Sequence, residues 1–359
     1  MNHIAEAQSV LAEYPGQWRD ARIESLRSAG GFSGAVLWRV RTPGQDLCLK
    51  RWPAEHPNEE QLRFIHAVLL HVRRQGLDWT PAPLPNRWGA TWVVSNGHFW
   101  ELTPWMPGKA DFRNDPRPPR LRAALEALAR FHRAAESFPG FSPREGVSPA
   151  ILERRERFRT LAAGGLDELR RWVVPNVWPD LFEFAERAVG LVREALLPVG
   201  SMLETALGHK TPLQPCIRDV WHDHVLFEGE RVSGLIDFGA LRVDCVATDV
   251  VRLLGSLIGN DAASWPIGLQ AYESIRPLRE TEKAILGALD ASGTVLAAVN
   301  WVEWLYRDRR RFADREAVAR RVRDVVARLE HFTRGLGQGG GTASGLWLPE
   351  PSNERQAEK

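Results

Sequence analysis

Asp219 and Asp237 are the two residues of this sequence whose types and spacing best suit joint chemistry. They stand eighteen positions apart within residues 216–240, a stretch that also carries His222, Asp223 and His224. Between them, apolar runs at 225–227 and 232–236 flank Glu228-Gly229-Glu230, the pattern of a tight hairpin that brings both carboxylates to one end of a two-stranded unit. Phosphoryl transfer needs such a pair. One carboxylate takes the proton of an attacking hydroxyl, and the other holds the magnesium that neutralises the phosphates.

The strings around the two carboxylates resemble the aminoglycoside phosphotransferase family of small-molecule kinases, in which a loop H-G-D-x-x-x-x-N is followed by a hairpin and then I-D-F/W-G/E. Ile217-Arg218-Asp219 stands at the first three positions and Ile236-Asp237-Phe238-Gly239 at the metal-binding ones. The resemblance implies a catalytic Asp219 and a magnesium ligand at Asp237. Arg218, counted with Asp219 as catalytic, makes the string closer to the H-R-D of protein kinases. Two positions depart from the pattern: Ile217 stands where the family has His, and His224 where it has Asn. An imidazole is a softer ligand than an amide oxygen and favours transition metals. Either His224 still serves as a ligand, with Asp223 beside it as a competing oxygen donor, or the second metal position is lost.

Other elements must position this pair. Gly30-Gly31-Phe32-Ser33-Gly34 precedes an alternating strand over 35–40, a turn at Thr42-Pro43-Gly44 and a strand over 46–52 that carries Lys50. Kinase-like folds cover ATP in this way: Gly31, Ser33 and Gly34 let backbone N–H groups approach phosphate, and Lys50 adds a point charge. Leu47 and Leu49 alternate with Cys48 and Lys50, so Lys50 faces away from the leucines. Asn58 is positioned to cap a helix, with Gln61 at the capping-box position and Leu62, Ile65, Val68, Leu69 and Val72 on its apolar side. The resemblance pairs the lysine with a glutamate of this helix, which nominates Glu59; an acidic first turn also suits the helix dipole. Asn96-Gly97 joins strands at 91–95 and 98–103. By resemblance, the backbone of Glu101, Leu102 and Thr103 is the hinge that bonds adenine.

The pattern then turns helical. A helix from Pro119 carries a packed His132, and helices over 149–206 break at Pro175, Pro179 and Pro198. Asp249 caps its own helix or, as the resemblance implies, the backbone of the catalytic loop. A last helix from about Asp314 buries Val318, Val322, Val325, Leu329 and Phe332, while its arginines interleave with acids as a solvated face does. The expected fold is α+β and protein-kinase-like, with two lobes: a small antiparallel-sheet N-lobe over 1–104 and a larger, mainly helical C-lobe over 105–335. A disordered tail over 336–359 follows.

Composition narrows the function classes. The 359 residues are 44% hydrophobic, and Lys+Arg 47 against Asp+Glu 45 gives a net +2, so no general drive toward nucleic acid or an anionic membrane exists. Three cysteines without metal-knuckle spacing favour a reducing compartment, and neither a secretory signal nor an uncharged apolar run of about 18 residues is evident, which points to the cytoplasm. Fifteen scattered tryptophans read as core and groove lining. The expectation is an ATP- and Mg2+-dependent phosphotransferase acting on a hydroxyl of a small molecule such as an aminoglycoside or amino alcohol. A nucleotide-binding pseudokinase, prompted by positions 217 and 224, and a metal hydrolase built on His222-Asp223-His224 are the alternatives.

Overall fold

The structure, a computed structural model, describes residues 3–18, 21–26, 34–312 and 314–337. In chain order these form α1 (His3–Leu11), β1 (Arg22–Ser25), β2 (Val36–Arg41), β3 (Leu47–Arg51), α2 (Glu59–Arg74), β4 (Val93–Ser95), β5 (His98–Pro104) and α3 (Pro118–Glu136). Then come β6 (Arg144–Gly146), α4 (Pro149–Thr160), α5 (Leu166–Trp172), α6 (Phe182–Ala206), β7 (Thr211–Cys216), β8 (Val225–Glu228), β9 (Arg231–Leu235) and β10 (Arg242–Asp244). The chain closes with α7 (Ala247–Leu257), α8 (Ser264–Glu273), α9 (Glu280–Ala284), α10 (Leu286–Val302) and α11 (Arg315–Gly337). It divides into two compact units, Met1–Ser142 with Pro215–Arg242, and Pro143–Gln214 with Val243 onward.

The first unit holds an antiparallel sheet of order β1-β2-β3-β5-β4. Period-two alternation gives it two unlike faces. Trp38, Val40, Leu47, Leu49, Trp100 and Leu102 pack with Ala7, Val10 and Leu11 of α1, and the Trp38 and Trp100 rings stack at 5.1 Å. The other face therefore receives Lys50 and Glu101, which lie directly opposite one another in the β3–β5 register. Asn58 caps α2 through a full capping box with Gln61, as the spacing predicts. Asn96 and Gly97, at φ +49° and +75°, make the β4–β5 turn. Burial pushes the Cys48 thiol up to about 12, so it stays protonated and unreactive at neutral pH.

The β8–β9 hairpin belongs to this unit and is bound to the chain that leaves β5. Lys109 and Phe227 exchange backbone hydrogen bonds of 3.0 and 2.9 Å, and Ser233 Oγ donates to the Pro107 carbonyl at 2.7 Å. Gly108 lies where these segments touch. It takes φ +95°, and a Cβ there would collide with Ser233 Oγ and lie 2.7 Å from the Phe227 carbonyl oxygen.

In the second unit β6 pairs with β7, and α6 packs against α10 and α11. Pro175 and Pro179 fall in the break between α5 and α6, whereas Pro198 lies inside the 25-residue α6. That expected break is therefore absent: a proline removes one backbone hydrogen bond, and packing on two neighbouring helices offsets the loss. The run Glu280–Arg307 has the length and apolar character of a membrane span, yet 72% of its apolar window is buried against protein. Val318, Val322, Val325, Leu329 and Phe332 of α11 are buried as expected. α11 continues through Gly337, beyond the tail start expected at 336, and residues 338–359 lie outside the described residues.

Gly108→Ala combines a disfavoured backbone conformation with a backbone collision, so an urea denaturation series should show a loss of about 1–3 kcal/mol. Unchanged stability would mean that the hairpin is not bound to the departing chain in this way.

Candidate active site

β8 and β9 bring the segments bearing Asp219 and Asp237 to one end of the hairpin. Neither segment has relaxed backbone: Arg218 takes φ +70° and Asp237 φ +61°. Such conformations cost about 1–3 kcal/mol each at non-glycine residues and persist where the surroundings fix them. For Asp237 the fixing contacts are visible. The preceding Ile236 N–H donates to the His224 carbonyl at 3.0 Å, and the following Phe238 is buried against the Phe131 ring of α3, centroids 5.4 Å apart.

Lys50 meets Asp237 across 187 positions of sequence, Nζ to Oδ1 at 3.2 Å. The ammonium also lies 3.5 Å from the centroid of the Trp52 ring, a cation–π contact. Burial opposes the charge, but the Asp237 and Glu101 carboxylates hold the Lys50 pKa above its ordinary value. In return the Lys50 ammonium, against partial desolvation, holds Asp237 down to about 2, from an ordinary 3.8. Asp237 is still 41% exposed, so an ionised oxygen remains available to a ligand. Gly239 leaves room for Trp52, whose ring would lie 3.0 Å from a Cβ there.

His224 closes the arrangement. Its Nδ1 lies 2.8 Å from the Asp219 carbonyl oxygen, and its Nε2 lies 2.7 Å from the Trp221 indole nitrogen. A carbonyl only accepts and an indole N–H only donates, so the imidazole is neutral with its proton on Nδ1. Nε2 is also 3.7 Å from Asp237 Oδ2. One ring thus spans the distance between the backbone of Asp219 and the carboxylate of Asp237. Its lone pair is occupied by the indole, however.

The donor set therefore fits a hard divalent cation held by one protein carboxylate, Asp237, with phosphate oxygens and water completing the shell, as magnesium commonly is. Asp223 lies 3.5 Å from His222 Nε2 with its side chain 50% exposed, and among the described residues it does not group with His224 and Asp237 as a metal-ligating set. Among the described residues, His222, Asp223 and His224 do not converge as a metal-ligating group, which leaves the hydrolase alternative without a third ligand. Asp219 is exposed, and Ile217 is 1% exposed.

Other expectations from sequence fare differently. Gly34, at φ +80°, makes the turn into β2, while Gly31 and Ser33 lie outside the described residues. Glu59 is not the partner of Lys50: its side chain is 59% exposed and bonds Arg63 at 2.6 Å, one turn along its own helix. Glu101, Leu102 and Thr103 lie buried within β5, in the strand expected over 98–103, and the Leu102 carbonyl accepts the Leu84 N–H at 2.8 Å. Trp52, His66 and Trp221 were not singled out by sequence. Trp52 was findable, since it lies two positions beyond Lys50 and so shares its face of the strand.

Fold and site define a phosphotransferase of the kinase-like class. The chain belongs to the phosphotransferase enzyme family, whose model matches residues 26–286. A homoserine kinase of Beijerinckia indica is 29% identical over 257 residues, covering 69% of this chain and 71% of the relative. Among solved structures, a microcompartment-associated aminopropanol kinase superposes with TM-score 0.60 at 14% identity, over 95% of this chain and 99% of that one. An aminoglycoside phosphotransferase from Alicyclobacillus acidocaldarius gives 0.56 at 17% identity, over 92% and 95%.

Asp237 has a folded-state pKa below its unfolded value, so it contributes stability above about pH 4 that is lost as pH falls toward 2. Lys50→Met should move its titration, followed by carboxyl 13C NMR, up to 3.8 or beyond and flatten that acid-side loss. Titration still near 2 in the variant would assign the depression to another group.

Proposed function

We propose that the protein is an ATP-dependent kinase that phosphorylates the hydroxyl of a small amino alcohol, homoserine being the first acceptor to test. The observation that carries the reading is the joining of Lys50, Asp237 and the Asp219 segment, through the Lys50–Asp237 ion pair and through His224, whose ring bonds the Asp219 carbonyl and whose own carbonyl accepts the Ile236 N–H. The family supports the reaction, and relatives named for homoserine and aminopropanol support an acceptor that carries both an amine and an alcohol.

Asp219 orients the acceptor hydroxyl and takes its proton as the oxygen attacks the terminal phosphorus. His224 fixes the backbone at that residue, so the carboxylate starts from a set position. Lys50 exchanges its contact with Asp237 for phosphate oxygens when nucleotide binds, which frees Asp237. A bound divalent cation supplies charge neutralisation across the phosphates. Ile217 supplies apolar packing and takes no part in the chemistry.

Asp219→Asn should cost roughly 10^2- to 10^4-fold in turnover with little change in melting temperature, because an exposed carboxylate contributes chemistry and not packing. ADP release measured with homoserine, aminopropanol, ethanolamine, choline and a panel of aminoglycosides tests both parts. Turnover with an aminoglycoside alone would replace the acceptor class. Full activity of Asp219→Asn would remove that residue from the mechanism.

A further inference from the structure

Resting on the phosphotransferase reading, Lys50 has an unsolved need. Once Asp237 turns to a cation, the ammonium requires another carboxylate to hold its position against the phosphates. Helix α2 does not provide one from its first turn, since Glu59 is exposed and committed to Arg63. Two turns further along, α2 instead buries His66, which is 2% exposed.

His66 Nε2 lies 2.7 Å from Glu101 Oε2, and its Nδ1 lies 2.8 Å from Thr91 Oγ1. Glu101 stands directly opposite Lys50 in the β3–β5 register, so the two side chains leave the same face of the sheet a few ångströms apart. Despite full desolvation, which would raise it, His66 and Lys50 keep the Glu101 carboxyl below its ordinary pKa. A buried carboxylate that stays ionised needs partners, and an imidazole on one side and an ammonium on the other supply them. The geometry has a direction: the helix holds the imidazole, the imidazole holds the carboxylate, and the carboxylate acts on the lysine.

We propose that Glu101 is the positioning carboxylate for Lys50 in the nucleotide-bound protein, and that His66 couples its placement to helix α2. A strand residue and a helix residue thereby share the work of a helix glutamate. Glu101 is in consequence part of the phosphate-binding apparatus.

The test uses the full chain and a readout that packing alone does not move, the affinity for metal-free ATP by calorimetry, together with KM for ATP and for the acceptor. Glu101→Gln should weaken metal-free ATP binding about tenfold and raise KM for ATP while leaving KM for the acceptor unchanged, the size expected for one charge-assisted contact. His66→Gln should do the same in smaller measure. The exchanged pair His66→Glu with Glu101→Gln, which returns a carboxylate to the helix, should recover most of the loss. Glu59→Ala should bind ATP as the wild type does.

A Glu101→Gln protein that melts as the wild type does and binds ATP equally well overturns the proposal. So does an exchanged pair no better than the single variant, or a Glu59→Ala loss as large as that of Glu101→Gln. Should Glu101→Gln fail to fold, unchanged ATP affinity in His66→Gln overturns it on its own. Failure of the underlying reading looks different, since the wild-type protein would then neither bind ATP nor release ADP with any acceptor.

Discussion

A buried ammonium cannot stand without a negative partner, and the contact between Lys50 and Asp237 answers that requirement. Its two halves come from opposite ends of the first compact unit's sequence, and much of that unit's design serves to bring them together. Strand alternation sends Leu47 and Leu49 into the core with α1, which forces Lys50 to the other face. Asp237 arrives on a hairpin bonded to the chain that leaves the same sheet. Gly239 is bare because Trp52, the ring beneath the ammonium, needs the room. The contact is therefore a consequence of the fold and not an incidental surface ion pair, the kind that contributes little.

The two departures from the family pattern acquire separate physical explanations. Ile217 lies in the core, where an apolar side chain is the favourable choice. His224 braces its own loop with both ring nitrogens engaged, and its backbone carbonyl accepts the Ile236 N–H from the Asp237 segment. An amide at this position would present an oxygen to a cation; the imidazole instead presents a nitrogen already shared with Trp221.

Local signals in the sequence carried a long way. The capping box at Asn58 and Gln61, the Asn96-Gly97 turn, the hairpin between the carboxylates and the apolar stripe of α11 depend on neighbours a few positions apart, and each forms where its pattern places it. Family strings placed Lys50, Asp219 and Asp237, and the structure shows Lys50 and Asp237 in contact. What could not be read depends on three-dimensional approach. Glu59 and His66 stand two turns apart on one side of α2, and it is His66 that bonds Glu101 of β5 while Glu59 bonds Arg63. Pro198 is a helix breaker by propensity, and the packing of α6 on its neighbours overrides it.

The claim on which the rest depends is that Asp237 passes from an ammonium to a cation as nucleotide binds. Calorimetric titration of ATP into wild type and Asp237→Asn, each with and without magnesium, measures this directly. Magnesium should strengthen ATP binding to the wild type and leave that of Asp237→Asn unchanged. An equal magnesium effect in both proteins would contradict the account.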